Sequence, residues 1–446
     1  MKKAFRFLGL VVLAGIIYYG FETYPKLDLI SGFASKSVAS AHFLDNRSLG
    51  VIEKGDNDID LIDLAKNEIN EKEKFAEASV YGLKTRRAIY REGLGAVLVN
   101  EDYDASKPYD VPKRNFTLNK SLPFPYGDGE AEKHTFTNVD YKRIDAALNQ
   151  AFEANAEGKK TSRGIVVVYK DKIIGEKYAP GFNKESRLLG WSMTKSITAT
   201  LFGILQTQGK LKVNQPAPIA EWQKDERKNI TLHNLLQMNS GLEWDEDYGK
   251  ISDVTKMLFQ ESDMTQSQIN KPLVGKPNAT WNYSSGTTNL LSGILRQQFK
   301  THQEYLDFWY SALIDKIGMH SMVVEADLEG NYIGSSYAWA NARDWAKFGL
   351  LYLHNGNWNG EQLFDPTWSK YVAAPTPTSD KQYGAQFWLN AGSKMPDCPT
   401  DIYYADGFQG QRVFVIPSHE MVIVRLGTDH IDFNALVKEV IASVKQ

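Results

Sequence analysis

Hydrophobic and polar positions change rhythm several times along this chain. Behind Lys2, Lys3 and Arg6 an unbroken apolar run extends from Phe7 to Tyr19, followed by Glu22 and Pro25. Residues 22 to about 75 mix polar and apolar positions without a clear period. Asp56, Asp58, Asp60 and Asp63 form an acidic patch there, and charges alternate from Glu68 to Lys74. Such a stretch reads as a linker or a solvated helix. From Ala76 to Asn100 the short apolar runs Ala88-Ile89-Tyr90 and Ala96-Val97-Leu98-Val99 flank Gly93 and Gly95 and predict strands. Pro108, Pro112, Pro123 and Pro125 then punctuate a loop-rich segment.

Beyond residue 140 the pattern is more regular. Ile144, Leu148 and Phe152 recur every four residues and predict a helix over Tyr141 to Ala156. Gly164 to Tyr169 reads as a buried strand, Asp171-Lys172 as a turn, and Ile173 to Tyr178 as the returning hairpin strand. Ile197, Leu201, Ile204 and Leu205 share one face of a helix starting near Ser192 and stopped by Gly209. Helical and loop segments fill 215–375. Strands return at Arg412 to Ile416 and Met421 to Leu426, joined by Pro417-Ser418-His419-Glu420, and a last helix covers Phe433 to Val444. Strands thus open and close the region with helices between, which predicts one antiparallel sheet assembled from both ends.

Composition bounds the reading. With 42% hydrophobic and 24% charged residues among 446, the chain can bury a large core. A formal net charge of −3 argues against nucleic-acid binding, which needs a basic field to neutralise phosphates. The one cysteine, Cys398, excludes an intrachain disulfide, and the eight histidines form no HExxH, so neither a metal nor another cofactor is expected. The amino-terminal run has the layout of a secretory signal or signal anchor. No small-x-small cleavage site follows closely and no cysteine follows to take a lipid, which favours an uncleaved anchor over a cleaved signal. Either way the remainder is exported, so a periplasmic protein held to the inner membrane is expected. The expected organisation is residues 1–25 as anchor or signal, 26–135 as an amino-terminal extension, and 136–446 as the main domain.

Candidate chemistry begins at Ser192-Met193-Thr194-Lys195, the one SxxK in the chain, placed at a helix start. The i, i+3 spacing puts both side chains on one face. A serine hydroxyl is a poor nucleophile until a nearby base takes its proton, and a lysine kept neutral by desolvation can do so. The helix start adds free N–H groups that can stabilise an oxyanion. By itself SxxK also fits an ordinary surface spacing. Gly190-Trp191-Ser192-Met193-Thr194 is no GxSxG elbow, which disfavours an α/β-hydrolase.

The surroundings of Ser192 and Lys195 resemble the serine β-lactamase and penicillin-binding-protein superfamily over roughly residues 140–440. They look most like the class C branch with its esterases and 6-aminohexanoate-dimer hydrolases. The resemblance implies an α+β fold, an antiparallel sheet flanked by helices with a helical subdomain, and assigns Ser192 as nucleophile with Lys195 beside it. Trp281-Asn282-Tyr283-Ser284-Ser285-Gly286 resembles the family's Tyr-x-Asn or Tyr-x-Ser element. Tyr283 matches the tyrosine that relays protons, and Ser285 stands where β-lactamases commonly carry asparagine. Gly407-Phe408-Gln409-Gly410-Gln411 resembles the Gly-x-x-Gly-Gln form of the third element. That match makes the Phe408 amide a second oxyanion donor, with Gly407 and Gln409 beside it. No lysine or histidine stands at that triad, so a β-lactam carboxylate would lose its usual cationic contact. Ile230 to Leu242 and Asn341 to Gly349 resemble two scaffold signatures of the family. The implied activity is hydrolysis of an amide or ester in a small or short peptide-like substrate, with a D-Ala-D-Ala peptidase or β-lactamase, or a non-catalytic binding module of this fold, as alternatives.

Overall fold

The computed structural model describes the backbone of residues 2–100, 103–104 and 106–445, and within these the side chains of residue 20 and of residues from 24 onward. The chain divides into two compact units. One comprises Met1–Arg91, Ala96–Lys107 and Glu246–Ser262; the other comprises Glu92–Gly95, Pro108–Asp245 and Asp263–Gln446.

In the first unit, helix α1 (Lys2–Asp45) runs through Pro25 without a break. The sheet β1 (Ala65–Asn70), β2 (Phe75–Val80), β3 (Leu83–Arg91) and β4 (Gly95–Val99) follows in that order. The stretch read as a linker or solvated helix is therefore structured. Ala34, Val38, Ala39 and Ala41 of α1 are fully buried, and Ala76, Ala78 and Val80 alternate into the core from β2. Asp56, from the acidic patch, pairs at 2.9 Å with the buried Arg47. The apolar run Phe7 to Tyr19 falls on residues whose side chains lie outside those described. Among the described residues no helix is long and apolar enough to cross a membrane.

The second unit is built on a six-stranded antiparallel sheet. Its strands β5 (Ser162–Tyr169) and β6 (Lys172–Tyr178) come from the front of the region. Its strands β7 (Trp388–Leu389), β8 (Tyr403–Gly407), β9 (Gln411–Ile416) and β10 (Met421–Gly427) come from the back. The order is β7-β8-β9-β10-β5-β6, so β10 pairs with β5 and the two chain ends meet in mid-sheet. The central strands are apolar on both faces, as strands covered on both sides must be. Val166, Val168, Val413, Val415, Val422 and Val424 point into the larger core cluster. Ile165, Val167, Phe414, Ile416, Met421 and Ile423 point into the other. The second cluster is closed by α2 (Tyr141–Ala151), shorter than its apolar spacing predicts, and by the carboxy-terminal helix Phe433–Ala442. The first is closed by helices between the two sets of strands, among them α3 (Thr194–Thr207), α4 (Ser285–Arg296) and α5 (Ala342–Leu353). This is an α+β arrangement, an antiparallel sheet flanked by helices, as the resemblance implies.

Candidate active site

The nucleophile candidate sits in a constrained turn. Trp191–Met193 forms a single 3-10 turn that runs directly into α3. Trp191 adopts φ +47°, a left-handed conformation that costs a side-chain-bearing residue about 1–2 kcal/mol. Its carbonyl accepts from the Thr194 hydroxyl at 2.7 Å, and that hydroxyl accepts from the Ala338 amide at 2.9 Å. Glycine is needed at two neighbours because of close approach. A Cβ on Gly407 would stand 2.1 Å from the Gly190 carbonyl oxygen, and one on Gly190 would strike the Trp345 ring at 2.4 Å. The end of β8 therefore lies directly against the turn that carries Ser192.

Lys195, the second residue of α3, is 1% exposed. Its side-chain nitrogen lies 3.1 Å from Ser192 Oγ, 2.9 Å from Ser285 Oγ and 3.0 Å from the Ser335 carbonyl. These contacts fit a protonated nitrogen donating to all three, or a neutral one donating to Ser285 and Ser335 and accepting from the Ser192 hydroxyl. The same nitrogen stands 4.9 Å from the centroid of the Tyr283 ring. Ser192, Lys195, Tyr283 and Ser285 are thus brought together around one nitrogen, although 90 residues separate Lys195 from Ser285. Ser284 caps α4 by accepting from the Thr287 amide at 2.9 Å, which sets Ser285 as the first helical residue.

Two further residues of this cluster escaped the sequence reading. Ser335 contributes a backbone carbonyl, and Asn289 of α4 holds that loop by accepting from the Ser335 amide at 3.0 Å. A main-chain acceptor leaves no mark in sequence, and Asn289 has no motif of its own beyond its spacing, one turn along α4 from Ser285.

Gly407, Phe408 and Gln409 follow at the end of β8, where Phe408–Gly410 makes a short 3-10 turn with Gln409 at φ +61°. Two buried side chains hold that turn from behind. The Gln411 amide donates to the carbonyls of Phe408 (3.1 Å), Gln409 (3.4 Å) and Gly427 (2.6 Å), and accepts from the Gly427 amide at 2.9 Å. Arg425, fully buried, donates to the Gln409 and Gly410 carbonyls at 3.0 and 3.1 Å. Burial draws its guanidinium below the ordinary range, to about 9, an effect that nearby Asp429 opposes. The cation that follows the Asp406-Gly407 pair, Arg412, is engaged with Asp406 at 2.5 Å.

Aromatic rings cluster around Tyr283. Trp281, Tyr283, Tyr383 and Trp388 pack mutually, every pair of ring centroids lying between 5.3 and 6.4 Å apart. The Phe408 ring meets Trp191 edge to face at 5.5 Å and is 36% exposed. Cys398 stays apart from this chemistry: burial, reinforced by Asp397, pushes its thiol up to about 11.

Comparison with known proteins identifies the family and the fold. The family model described as Beta-lactamase matches residues 148–441, well over half of the chain. No curated protein matches. Among solved structures, a Bacillus anthracis protein described as a 6-aminohexanoate-dimer hydrolase is similar at 19% identity and a TM-score of 0.54, over 64% of this chain and 78% of its own. A penicillin-binding-protein homologue from Caulobacter crescentus is 14% identical with a TM-score of 0.54, over 68% of this chain and 97% of its own. A family VIII carboxylesterase is 12% identical with a TM-score of 0.55, over 71% of this chain and all of its own. At these identities the likeness is one of fold.

Proposed function

This chain belongs to the beta-lactamase family, and from that premise we propose that it is a serine hydrolase that cleaves an amide or ester bond through an acyl-enzyme on Ser192. The observation that carries the proposal is the buried Lys195 nitrogen, 3.1 Å from Ser192 Oγ and held by Ser285 and the Ser335 carbonyl. In its neutral form Lys195, with Tyr283 beside it, takes the Ser192 proton as Oγ attacks the substrate carbonyl. The backbone amides of Ser192 and Phe408 receive the developing oxyanion. Tyr283 or Lys195 returns the proton to the leaving alcohol or amine, and water then releases the acyl group. These steps draw only on the chain's own groups and water.

The aromatic cluster around Tyr283 and the engaged Arg412 support a neutral substrate with an apolar group over one recognised by its carboxylate. That favours ester or amide hydrolysis over β-lactam turnover or D-Ala-D-Ala peptidase activity. We place the enzyme outside the cytoplasm, tethered through its amino-terminal apolar run, on the strength of Lys2, Lys3 and Arg6 preceding Phe7 to Tyr19.

A fluorophosphonate probe is expected to label the purified protein and to lose its target in Ser192→Ala. Labelling that survives this substitution would falsify the assignment. Covalent capture of a fluorescent penicillin on Ser192 would instead favour the penicillin-recognising alternative. A chain labelled by neither probe and inert toward short-chain p-nitrophenyl esters would be a binding module.

A further inference from the structure

The first unit carries a cluster of exposed apolar side chains that its own folding does not explain. β2 and β3 are joined by the two-residue turn Tyr81-Gly82, with Val80 paired to Leu83 and positive φ at both turn residues, +54° and +72°. Such a turn favours asparagine followed by glycine, because a side-chain-bearing residue pays a steric cost in the left-handed region. Here the first position is a tyrosine, 77% exposed, the most exposed large hydrophobic side chain described. Neither turn geometry nor packing calls for it.

Tyr81 has company. Ala65 pairs with Val80, so Leu64 and Tyr81 leave the sheet at the same end, where Leu83 also begins β3. Leu61, Leu64 and Leu83 are 44%, 41% and 46% exposed. Helix α1 passes this end: Leu27 and Ile30 pack against Ala65 and Val80. Tyr24, about one turn earlier, is 46% exposed and lies under the Lys84 ammonium at 4.8 Å. These residues collect where α1 leaves the sheet toward its amino-terminal part, and the apolar run Phe7 to Tyr19 belongs to that same helix.

We propose that Tyr24, Leu61, Leu64, Tyr81, Leu83 and Lys84 form a collar that seats this unit in the interfacial layer of a lipid bilayer. The occupant follows from continuity. The apolar run ends five residues before Tyr24, and amphipathic aromatic rings together with lysine are the side chains that settle at headgroup level. Asp60 and Asp63 flank the leucines, so the contact is driven by apolar and aromatic burial rather than by attraction to anionic lipid. The collar rests on the tether proposed above, and the two can be tested apart.

The single native cysteine makes the experiment clean. In a Cys398→Ser background the full-length chain is given one new cysteine, as Tyr81→Cys, Leu83→Cys or Glu73→Cys, and labelled with a nitrobenzoxadiazole dye. Glu73 lies in the turn between β1 and β2, at the opposite end of the sheet. Each labelled chain is reconstituted with phosphatidylcholine vesicles, with and without phosphatidylglycerol. Labels at 81 and 83 are expected to shift to the blue, brighten and be quenched by shallow spin-labelled lipid, while the label at 73 stays as in water. The response should survive high salt and need no anionic lipid. A chain that floats with vesicles but leaves the 81 and 83 labels unchanged overturns the collar and leaves the tether standing. A chain that does not float overturns both. A response that appears without vesicles as protein concentration rises points to a second copy of the chain and likewise overturns the collar. Two reporter positions guard against a turn that rejects one substitution.

Discussion

Ser285→Ala tests the reading of the active site at its least obvious member. Ser285 is fully buried at the first turn of α4, and its hydroxyl oxygen accepts one of the three hydrogen bonds recorded from Lys195, at 2.9 Å. Removing that oxygen leaves Ser192 and Lys195 intact but lets the lysine nitrogen drift from the position fixed by the Ser335 carbonyl on the other side. A hydrogen bond to an ionisable nitrogen in a buried setting contributes about 1.5–3 kcal/mol. If that energy is spent holding the base in line with the nucleophile, kcat/KM falls roughly ten- to hundredfold. The assay is steady-state hydrolysis of p-nitrophenyl acetate, with Ser192→Ala as the floor and thermal unfolding as the check on folding. The loss should fall on kcat if Ser285 acts through its contact with Lys195. Ser285→Asn, which brings back an acceptor of the kind found in relatives, should retain more activity than alanine. If Ser285→Ala keeps kcat/KM within about twofold of the parent, Lys195 is not positioned by this contact and the proposed division of labour is wrong.

Two further predictions concern stability. Gln411→Leu removes one buried amide that satisfies both the N–H and the carbonyl of Gly427 and steadies the Phe408–Gly410 turn. Orphaned buried groups cost about 1–3 kcal/mol each, so urea unfolding should register a clear loss, accompanied by slower ester turnover. A variant as stable and active as the parent would remove the brace from the account. His233, hydrogen-bonded to the Tyr371 hydroxyl at 3.0 Å, has its protonation suppressed by burial. The unfolded chain therefore binds the proton more readily, and stability should decline as pH falls below about 6.5 toward the lowered folded value. Melting temperature followed from pH 7.5 to 5.5 should drop less steeply in His233→Gln. An unchanged slope would assign the effect to other groups, such as His430, whose protonation burial also suppresses.

What could be read from the sequence and what could not divides along physical lines. β5, β9 and β10 are runs of branched and aromatic residues closed by turn signals, and their burial on both faces is the state such runs favour. Even their meeting in one sheet followed from strands at both ends of the region. In the first unit the apolar runs at 88–90 and 96–99 do fall on β3 and β4, but upstream of them the signal failed because the buried side chains are small. Ala34, Ser35, Ala39, Ser40 and Ala41 line the buried face of α1, and Ala76 and Ala78 that of β2. Alanine and serine give little contrast against their neighbours, so neither the helical nor the two-residue period stands out.

The proposed catalytic cluster has the same divided legibility. Ser192 and Lys195 share one turn, so their proximity is a local fact that helix geometry alone supplies. What turns that proximity into chemistry is not local. Lys195 is desolvated because α3 is buried along its first three turns, and it is oriented by one hydroxyl from α4 and one carbonyl from the loop at Ser335. The end of β8 that leads into the Phe408–Gly410 turn lies against the turn carrying Ser192 only because neither Gly190 nor Gly407 has a Cβ. The shape of the Phe408–Gly410 turn depends on Gln411 and Arg425, which hold it through its backbone carbonyls. A spacing of three residues therefore names the pair, whereas its burial and hydrogen bonding belong to separate chain segments packed around it. Substitutions at Ser285 or Gln411, which lie outside the Ser192–Lys195 spacing, should for that reason lower activity while leaving that spacing whole.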